Sequence, residues 1–596
     1  MYTIRQSEPY VLKACDDFSA AFEVCNESDG IVMIHMHASC KSGSAPLSLT
    51  FSWIHDNIDI AAAWSPCGYH GKQVRPDWGS FTESFATRGA PIFSNLAYDD
   101  RNRLTVSCSD MKNRVGIRCG VLEESAELAC FVRVDVGKPV EDYEADIRID
   151  TRDIPFWKAV GDASGWLESF VGNIPAPIPE TASLPIYSTW YSFHHDLEPS
   201  RVLAECRYFK ELGCDVLLVD GGWYKQNNTR GLGWTGDWQS AKNKLGDMKA
   251  FVDNVHALGM KFILWYAVGF VGIHSEAYKS WKDKCLDRIS LDAYPLDPRY
   301  PEVREHLIGV WVRAVREWGL DGFKFDFIDS IPPSADAKPG MDILSVYDAT
   351  IRLMKDALTA IRQLKPDILI EFRQNYTGPL MRTIGNMLRS SDCPNDSLTN
   401  RLNTLDLRMF CGKTPVHSDM VMWSCHEPVE IAAFQLTNVL FSVPQISVLH
   451  ECLPESHKKM LSHYLGFWKE HRRTLLDGEM FYLGYVSNFS YVSSRLGGEQ
   501  IGAVYSGQIA VIHVPTDRVI LINASKDEAI LVKGLCGSYT LHISDCMGEP
   551  VFSGSVYAAT PEEFVNINAP VNGFIELDQN PTGNTPSQRQ AHVTLS

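Results

Sequence analysis

The chain has 596 residues, too many for one compact core, so about three domains are expected, one of them large. Hydrophobic residues make up 45% of it and charged residues 21%, which excludes disordered and collagen-like proteins. The formal charge of −18 disfavours nucleic acid and anionic membrane surfaces as partners, because both require clustered Lys and Arg.

The N-terminus and the cysteines bear on cellular location. Residues 1–18 contain no basic segment followed by an apolar run, and no uninterrupted apolar stretch reaches about 18 residues anywhere. The 16 cysteines are scattered singly, without a CxxC pair. This spacing favours reduced thiols over a disulfide framework or a zinc site, so a soluble, cytoplasmic protein is expected.

Both ends of the chain are rich in short alternating strands. Before residue 175, stretches such as 30–37, 104–107 and 129–135 predict an N-terminal antiparallel β-sandwich. A Pro-rich linker at 173–185 follows. Short strands return after residue 480 and predict a small C-terminal antiparallel β-domain. The expected division is therefore 1–175, 176–480 and 481–580, with a polar tail at 581–596.

In the middle, apolar β-type runs alternate with amphipathic helices, among them 200–212, 248–258, 301–318 and 345–364. Gly213, Gly259 and Gly319 each follow a helix, where a positive φ is wanted. Eight strands are expected, at 185–193, 215–221, 261–268, 322–328, 367–373, 386–392, 416–423 and 445–450. Eight strands that alternate with helices predict a (β/α)8 TIM barrel. A doubly wound open sheet is the rival, but no Gly-rich phosphate loop follows the first strand.

Polar residues cluster at the carboxyl ends of these predicted strands, where barrel enzymes hold their catalytic groups. One such carboxylate could simply cap a helix, whereas several on one face indicate a positive partner or proton handling. In chain order the candidates are Trp190, Asp220, Trp265, Lys324, Asp326, Glu371, Arg373, Asp392, Asp419, His450 and Glu451.

The sharpest pattern is the segment DGFKFDFI at 321–328. Side chains alternate along a strand, so Lys324 and Asp326 are expected to point into the barrel, and Phe323, Phe325 and Phe327 outward against the helices. A buried Lys beside Asp326 keeps that carboxylate ionised, as a nucleophile requires. A structural ion pair is the alternative interpretation.

Residues 185–480 resemble glycoside hydrolase family 36 and its relatives in clan D, the α-galactosidases. The motifs are LVDGGWY at 218–224, GDW at 236–238, GMKFILW at 259–265, GFKFD at 322–326 and SDCPND at 391–396, with Arg401 following. The resemblance implies that Asp326 is the nucleophile and Asp392 the general acid/base of a retaining exo-α-glycosidase. It also implies that Asp220, Trp265 and Lys324 bind the glycone. By the same resemblance, the protein is expected to be a homo-oligomer.

Retention needs two carboxyl groups with different tasks, so Asp392 is expected to have a raised pKa while Asp326 stays charged. Trp190, Trp223 and Glu371 are further candidates for the substrate site. No cofactor is expected. No metal is expected either, because no His/Cys/Asp cluster has ligand spacing, and His194 with His195 is interpreted as a loop pair.

Three departures from the family pattern concern the sugar. Gly221 stands where a second Asp is usual, Tyr266-Ala-Val-Gly replaces Glu-Pro-Glu, and Phe372-Arg-Gln-Asn-Tyr replaces a Cys and Gly-rich segment. Galactose is the leading glycone. Arg373, Arg389 or His417 could instead bind an N-acetylated, charged or deoxy sugar, and glucose is a further alternative. Transglycosylation is an alternative reaction to hydrolysis.

Two hypotheses from other classes are also open. Lys324 could form a Schiff base in a lyase or aldolase. The chain could also be a carbohydrate-binding protein without turnover. The expected partner in all but the lyase case is a glycoside or oligosaccharide.

Overall fold

The computed structural model describes residues 10–66, 71–170, 174–287, 291–334, 336–507, 509–513 and 515–580. The predicted tail at 581–596 and the first residue of the predicted linker lie outside these residues. The predicted fold class is confirmed: a near-closed barrel of eight parallel strands stands between an N-terminal and a C-terminal set of β-sheets.

The N-terminal region is a sandwich of two six-stranded sheets. Alternation along its strands builds the core, because Leu47, Leu49 and Phe51 are buried while the residues between them are more exposed. One sheet contains Tyr10–Ala14, Ala45–His55, Leu128–Val140, Arg114–Val121, Arg75–Pro76 and Thr82–Ser84. The other contains Phe18–Ser28, Ile31–Cys40, Asp142–Asp150, Asn102–Cys108, Ile92–Leu96 and Ala62–Trp64.

The helix Phe156–Glu168 leads from the sandwich to the barrel. Its buried face, with Phe156, Val160 and Ala163, joins the same hydrophobic core as the barrel helices. The sandwich is therefore packed onto the barrel by a continuous apolar interface.

The barrel strands pair in parallel through the eight-stranded order of the sheet. Isolated bridges from His417 to Val443 and from Val421 to Ile446 join the seventh strand to the eighth. In chain order the strands are Ile186–Ser188, Val216–Val219, Lys261–Ala267, Gly322–Asp326, Leu369–Arg373, Met387–Arg389, Val416–His417 and Gln445–Ile446.

All eight predicted strands are present, but several are shorter than predicted. The first ends at Ser188, and Trp190 opens the short helix Trp190–Phe193 instead of continuing the strand. The seventh pairs over only two residues, Val416–His417. A barrel strand ends where the neighbouring strands no longer run beside it. The apolar run in the sequence continues past that residue, so the sequence predicts a longer strand.

The observed barrel helices agree closely with the helices predicted from the amphipathic periods of the sequence. Gly213, Gly259 and Gly319 have φ values of 98°, 72° and 78°, as predicted for residues that end helices. The helices are Pro199–Glu211, Met248–Ala257, Glu276–Trp281, Pro301–Trp318, Val346–Leu364, Pro379–Arg382, Ser397–Phe410, Val429–Thr437, Glu455–Glu470 and Arg472–Asp477.

The C-terminal region contains a seven-stranded and a three-stranded sheet. Most of its pairs are antiparallel as expected, but Glu499–Val504 pairs in parallel with Arg518–Ile522, and Ile509–Val511 with Ala529–Lys533. The remaining strands are Glu479–Leu483, Tyr491–Leu496, Gly537–Ser544, Pro550–Ala558, Phe564–Asn568 and Phe574–Gln579.

Candidate active site

The fourth barrel strand, Gly322–Asp326, delivers the central carboxylate. Phe323 and Phe325 are fully buried behind the barrel wall, and the Phe325 ring lies 4.8 Å from that of Trp311. Lys324 and Asp326 therefore face inward, as the alternation predicted. The prediction for Phe327 was wrong: its φ of 63° ends the strand, and its ring lies at the barrel mouth, 6.4 Å from that of Trp265.

Asp326 is held by four hydrogen-bond donors and is 6% exposed. Its Oδ1 accepts hydrogen bonds from Arg373 Nε at 2.7 Å, from the Tyr376 hydroxyl at 2.7 Å and from the backbone N–H of Phe327 at 2.8 Å. Its Oδ2 accepts one, from the Trp265 indole N–H at 2.9 Å. The carboxylate is thus fixed in one orientation at the strand end.

These contacts determine the charge of Asp326. Burial raises its pKa, but the charges of Arg373 and Lys324 and the hydrogen bonds from Arg373 and Trp265 outweigh burial and hold the pKa well below its usual range. The sequence predicted this ionised state but assigned it to Lys324 alone. Arg373 is the larger cause and contacts Asp326 directly, whereas the Lys324 ammonium is bonded to Asp220 Oδ2 at 2.5 Å.

Asp392, the predicted acid/base, follows the sixth strand, and its side chain is 48% exposed. Its Oδ1 accepts a hydrogen bond from Arg389 Nη2 at 2.8 Å. Burial raises the pKa of Asp392, but the nearby charges of Arg389, Lys324 and Arg373 outweigh it and lower the pKa. The expectation of a raised pKa for Asp392 is therefore wrong. Asp326 also acts on this pKa and raises it, so the two carboxylates share one electrostatic neighbourhood.

A polar network inside the barrel supports Asp392 from below. The fully buried Arg389 reaches Asp419 and Asp392 with its two terminal nitrogens, and its Nε lies 3.5 Å from Glu371 Oε1. Burial raises the pKa of Glu371, whose other oxygen accepts a 2.5 Å hydrogen bond from Gln445. Arg389 therefore lies beneath the mouth, where three carboxylates surround it.

Asp419 extends this network to the loop that carries Asp392. Its Oδ2 accepts hydrogen bonds from the Tyr191 hydroxyl at 2.8 Å and from the Cys393 N–H at 2.7 Å. Because Cys393 directly follows Asp392, this bond orients the loop backbone. Through its bond to Asp419, Tyr191 connects this loop to the helix Trp190–Phe193 after the first strand.

The sequence resembles known proteins over part of its length. The Melibiase family model matches residues 180–361. Alpha-galactosidase 2 of Pediococcus pentosaceus is 25% identical over 203 residues, which are 33% of this chain and 28% of that protein. Alpha-galactosidase Mel36A of Lactobacillus acidophilus is 24% identical over 196 residues, 31% of this chain and 26% of that protein. The matches thus span little more than a quarter of these relatives' own lengths.

Solved structures match nearly the whole chain. The GH36 α-galactosidase AgaA of Geobacillus stearothermophilus has a TM-score of 0.61 at 14% identity, over 94% of this chain and 81% of AgaA. The α-galactosidase of Lactobacillus brevis has a TM-score of 0.62 at 14% identity, over 97% of this chain and 86% of that protein. The chain has a GH36 α-galactosidase-like fold.

In this GH36-like fold, five of the remaining predicted substrate residues surround the barrel mouth. Asp220 and Lys324 form a buried ion pair, and Trp265 and Arg373 flank Asp326. The half-buried Trp190 ring lies 4.5 Å from that of His194 and 5.5 Å from that of His195. Glu371 and Arg389 lie deeper, inside the barrel.

Two predicted substrate residues lie elsewhere. Trp223 is fully buried and donates its indole N–H to the Trp265 carbonyl oxygen, so it supports the site from behind. His417 is also fully buried, and its Nε2 lies 2.8 Å from the carbonyl oxygen of Ala182, in the segment leading into the barrel. Burial lowers the pKa of His417 to about 4. Neither side chain is positioned to contact a bound sugar.

Sequence reasoning missed Tyr376, Tyr191 and His195. Tyr376 ends the segment Phe372-Arg-Gln-Asn-Tyr, but nothing in that segment indicates that its hydroxyl reaches Asp326. Tyr191 follows Trp190 and was included in a predicted strand. His195 was interpreted as a loop residue, yet its ring lies beside Trp190 at the mouth.

The sandwich positions the loop after the fifth strand. The Gly89 N–H donates to the Asn375 carbonyl oxygen at 2.7 Å. A Cβ on Gly378 would lie 2.0 Å from the Gly89 carbonyl oxygen, so only glycine allows this approach. The barrel loop with Arg373 and Tyr376 is therefore held against the N-terminal sandwich region through Gly89.

Three further features concern metal binding, membrane crossing and the Lys324 amine. No group of three or more His, Cys, Asp or Glu that could hold a metal ion occurs among the residues the structure describes. In the same residues, no helix is long and apolar enough to cross a lipid bilayer. The Schiff-base hypothesis is disfavoured by a contact, since Lys324 is engaged in a buried ion pair with Asp220.

Removing the charge of Arg373 is expected to move the acid limb of the pH–rate profile. In Arg373→Met, Asp326 loses the largest of the effects that lower its pKa, so its pKa rises and activity is lost at a higher pH than in the wild type. The profile of kcat/KM against pH measures this shift. Arg373→Lys keeps a positive charge and should show a smaller shift; equal acid limbs in all three proteins would contradict this role for Arg373.

Proposed function

We propose that the chain is a retaining, exo-acting α-glycosidase, with terminal α-galactosides as its leading substrates. Asp326 is the nucleophile and Asp392 the general acid/base. The observation that carries the proposal is the environment of Asp326, an ionised carboxylate fixed by four donors at the barrel mouth, in the same charged neighbourhood as Asp392.

In the first step, a carboxylate oxygen of Asp326 attacks the anomeric carbon. Oδ2 accepts a single hydrogen bond, from Trp265, while Oδ1 accepts three, so Oδ2 keeps more electron density for attack. Asp392 gives its proton to the glycosidic oxygen, the bond from the anomeric carbon to that oxygen breaks, and the aglycone leaves as an alcohol. A covalent glycosyl-enzyme ester remains.

Asp392 must be protonated for this step although the charges of Arg389, Lys324 and Arg373 lower its pKa. The bound sugar removes water from a side chain that is 48% exposed, and desolvation favours the neutral acid. The negative charge of Asp326 also favours the acid. Ester formation cancels that charge and lowers the pKa of Asp392, which then acts as the base that takes a proton from the incoming water.

The glycone lies against residues around the mouth. The ion pair of Asp220 and Lys324 presents hydroxyl-binding groups, and the indole faces of Trp190 and Trp265 provide apolar surface for a sugar ring. AgaA variants of Geobacillus stearothermophilus have been solved in complex with stachyose and with raffinose. We propose oligosaccharides of that class as substrates here. N-acetylgalactosamine, glucose or a modified sugar is the alternative glycone, and transglycosylation the alternative outcome.

The test is a panel of 4-nitrophenyl α-glycosides of galactose, N-acetylgalactosamine, glucose and xylose, followed by labelling with the matching mechanism-based fluorosugar. We expect turnover of the galactoside first and an adduct on the peptide that contains Asp326. An adduct on another residue would overturn the assignment. Sugar binding without turnover of any glycoside would instead favour a carbohydrate-binding protein.

We also propose a cellular location, an oligomeric state and a domain division for the chain. A cytoplasmic location is supported by the cysteines, since all 15 in the described residues are free thiols. Homo-oligomerisation is proposed from the family resemblance, and light scattering of the purified chain would test it. The domain division at about residues 175 and 480 is supported by the positions of the sheets, and limited proteolysis would test it.

A further inference from the structure

A small notch at Gly221 lies in the wall of the candidate site. Gly221 follows Asp220, whose Oδ1 accepts its N–H at 2.7 Å. A Cβ at Gly221 would lie 3.7 Å from His195 Nε2, 3.7 Å from Trp190 Cζ3 and 3.8 Å from Trp265 Cε3. The notch is therefore walled by one imidazole and two indoles. Trp265 binds Asp326 through its N–H, which places the notch beside the reacting centre.

The His195 ring is held in one orientation. Its Nδ1 lies 3.0 Å from the carbonyl oxygen of Thr229, which can only accept, so Nδ1 carries the hydrogen. In the neutral ring, Nε2 then presents a lone pair toward the notch. Gly222, with a φ of 105°, packs so closely that a Cβ there would lie 2.8 Å from His195 Cα. This leaves the ring little freedom to turn.

The surroundings keep this ring neutral. Burial and the nearby charge of Lys225 lower the pKa of His195 to about 4, despite opposing hydrogen bonds to backbone carbonyls. Lys244 lies beside it and donates to the His195 carbonyl oxygen at 2.5 Å. Because Nδ1 is engaged with Thr229, Nε2 is the ring nitrogen that faces the notch. An uncharged acceptor therefore faces the notch at neutral pH.

We propose that His195 Nε2 accepts a hydrogen bond from one hydroxyl group of the glycone across the notch at Gly221, and so contributes to glycone specificity. The inference rests on the proposed function and names a substrate-reading residue within it. A single acceptor between two indoles suits a neutral glycone that presents one hydroxyl flanked by C–H groups.

The test compares the wild type with His195→Phe and His195→Gln on 4-nitrophenyl α-galactoside and its monodeoxy analogues. Phe keeps a ring of similar size without the acceptor, whereas the Gln amide restores a polar group near Nε2. We expect His195→Phe to raise KM about tenfold with little change in kcat, and His195→Gln to recover part of the loss. Thermal unfolding of each variant checks the fold.

The deoxy series separates sugar reading from a structural role. For one deoxy position, the wild type should lose about tenfold in kcat/KM, while His195→Phe should no longer distinguish that analogue from the parent. Gly221→Ala is a second arm, since its methyl group fits at ordinary contact distance yet fills the notch and should raise KM. Unchanged deoxy discrimination in His195→Phe would overturn the inference alone. A wild type that turns over no α-glycoside would overturn the proposed function and the inference together.

Discussion

Replacement of Asp326 by Asn is expected to lower kcat by about 10⁴-fold or more, because the amide cannot form the glycosyl ester. The loss should appear with every leaving group, since no later step can occur without the ester. Steady-state and single-turnover measurements on an aryl α-glycoside would quantify it. Trp265 and Tyr376 still have an oxygen to bind, so sugar affinity should change much less than kcat.

The control is Asp329→Asn, the same substitution three residues further on. Burial raises the pKa of Asp329, and its Oδ1 has no hydrogen-bond partner. We expect activity within about threefold of the wild type. In Asp326→Gly, added azide should attack the anomeric carbon and yield a β-glycosyl azide as the aryl alcohol leaves. Full activity in Asp326→Asn, or azide products with the α configuration, would contradict the nucleophile assignment.

Replacement of Asp392 by Asn is expected to produce a loss that depends on the leaving group. For an alkyl or sugar leaving group, kcat/KM should fall by about 10²- to 10⁴-fold, because no proton reaches the glycosidic oxygen. A dinitrophenyl group leaves without protonation, so ester formation should stay fast while its hydrolysis is slow. A burst of released phenol in stopped-flow experiments would reveal the accumulated ester.

Asp396→Asn is the matched control for Asp392. Asp396 lies on the same loop and caps the helix Ser397–Phe410 by accepting the N–H of Thr399 at 3.0 Å. Asn is an equally good capping residue, so activity and stability should be nearly unchanged. An Asp392→Asn enzyme that loses the same factor on all leaving groups would argue that Asp392 positions the substrate without transferring a proton.

The predictions that succeeded rest on local periodicity. Gly319 follows a helix whose predicted bounds of 301–318 agree with those observed, because its amphipathic period and Pro at its first position are both local signals. The alternation in DGFKFDFI placed Lys324 and Asp326 inside the barrel for the same reason. Phe327 departs from the alternation because the strand ends at Asp326, and where pairing ends depends on the neighbouring strands.

The sequence by itself determined the order of eight strands, the inward-facing pair on the fourth of them and the candidate carboxylates. These properties follow from side-chain spacing along single elements. The tertiary structure decided that Arg373 rather than Lys324 is the main cation at Asp326, that Trp223 and His417 are buried away from the sugar, and that His195 faces the notch. Such contacts join residues tens of positions apart, such as Arg373 and Asp326, and they depend on barrel curvature and loop packing, which local spacing does not encode.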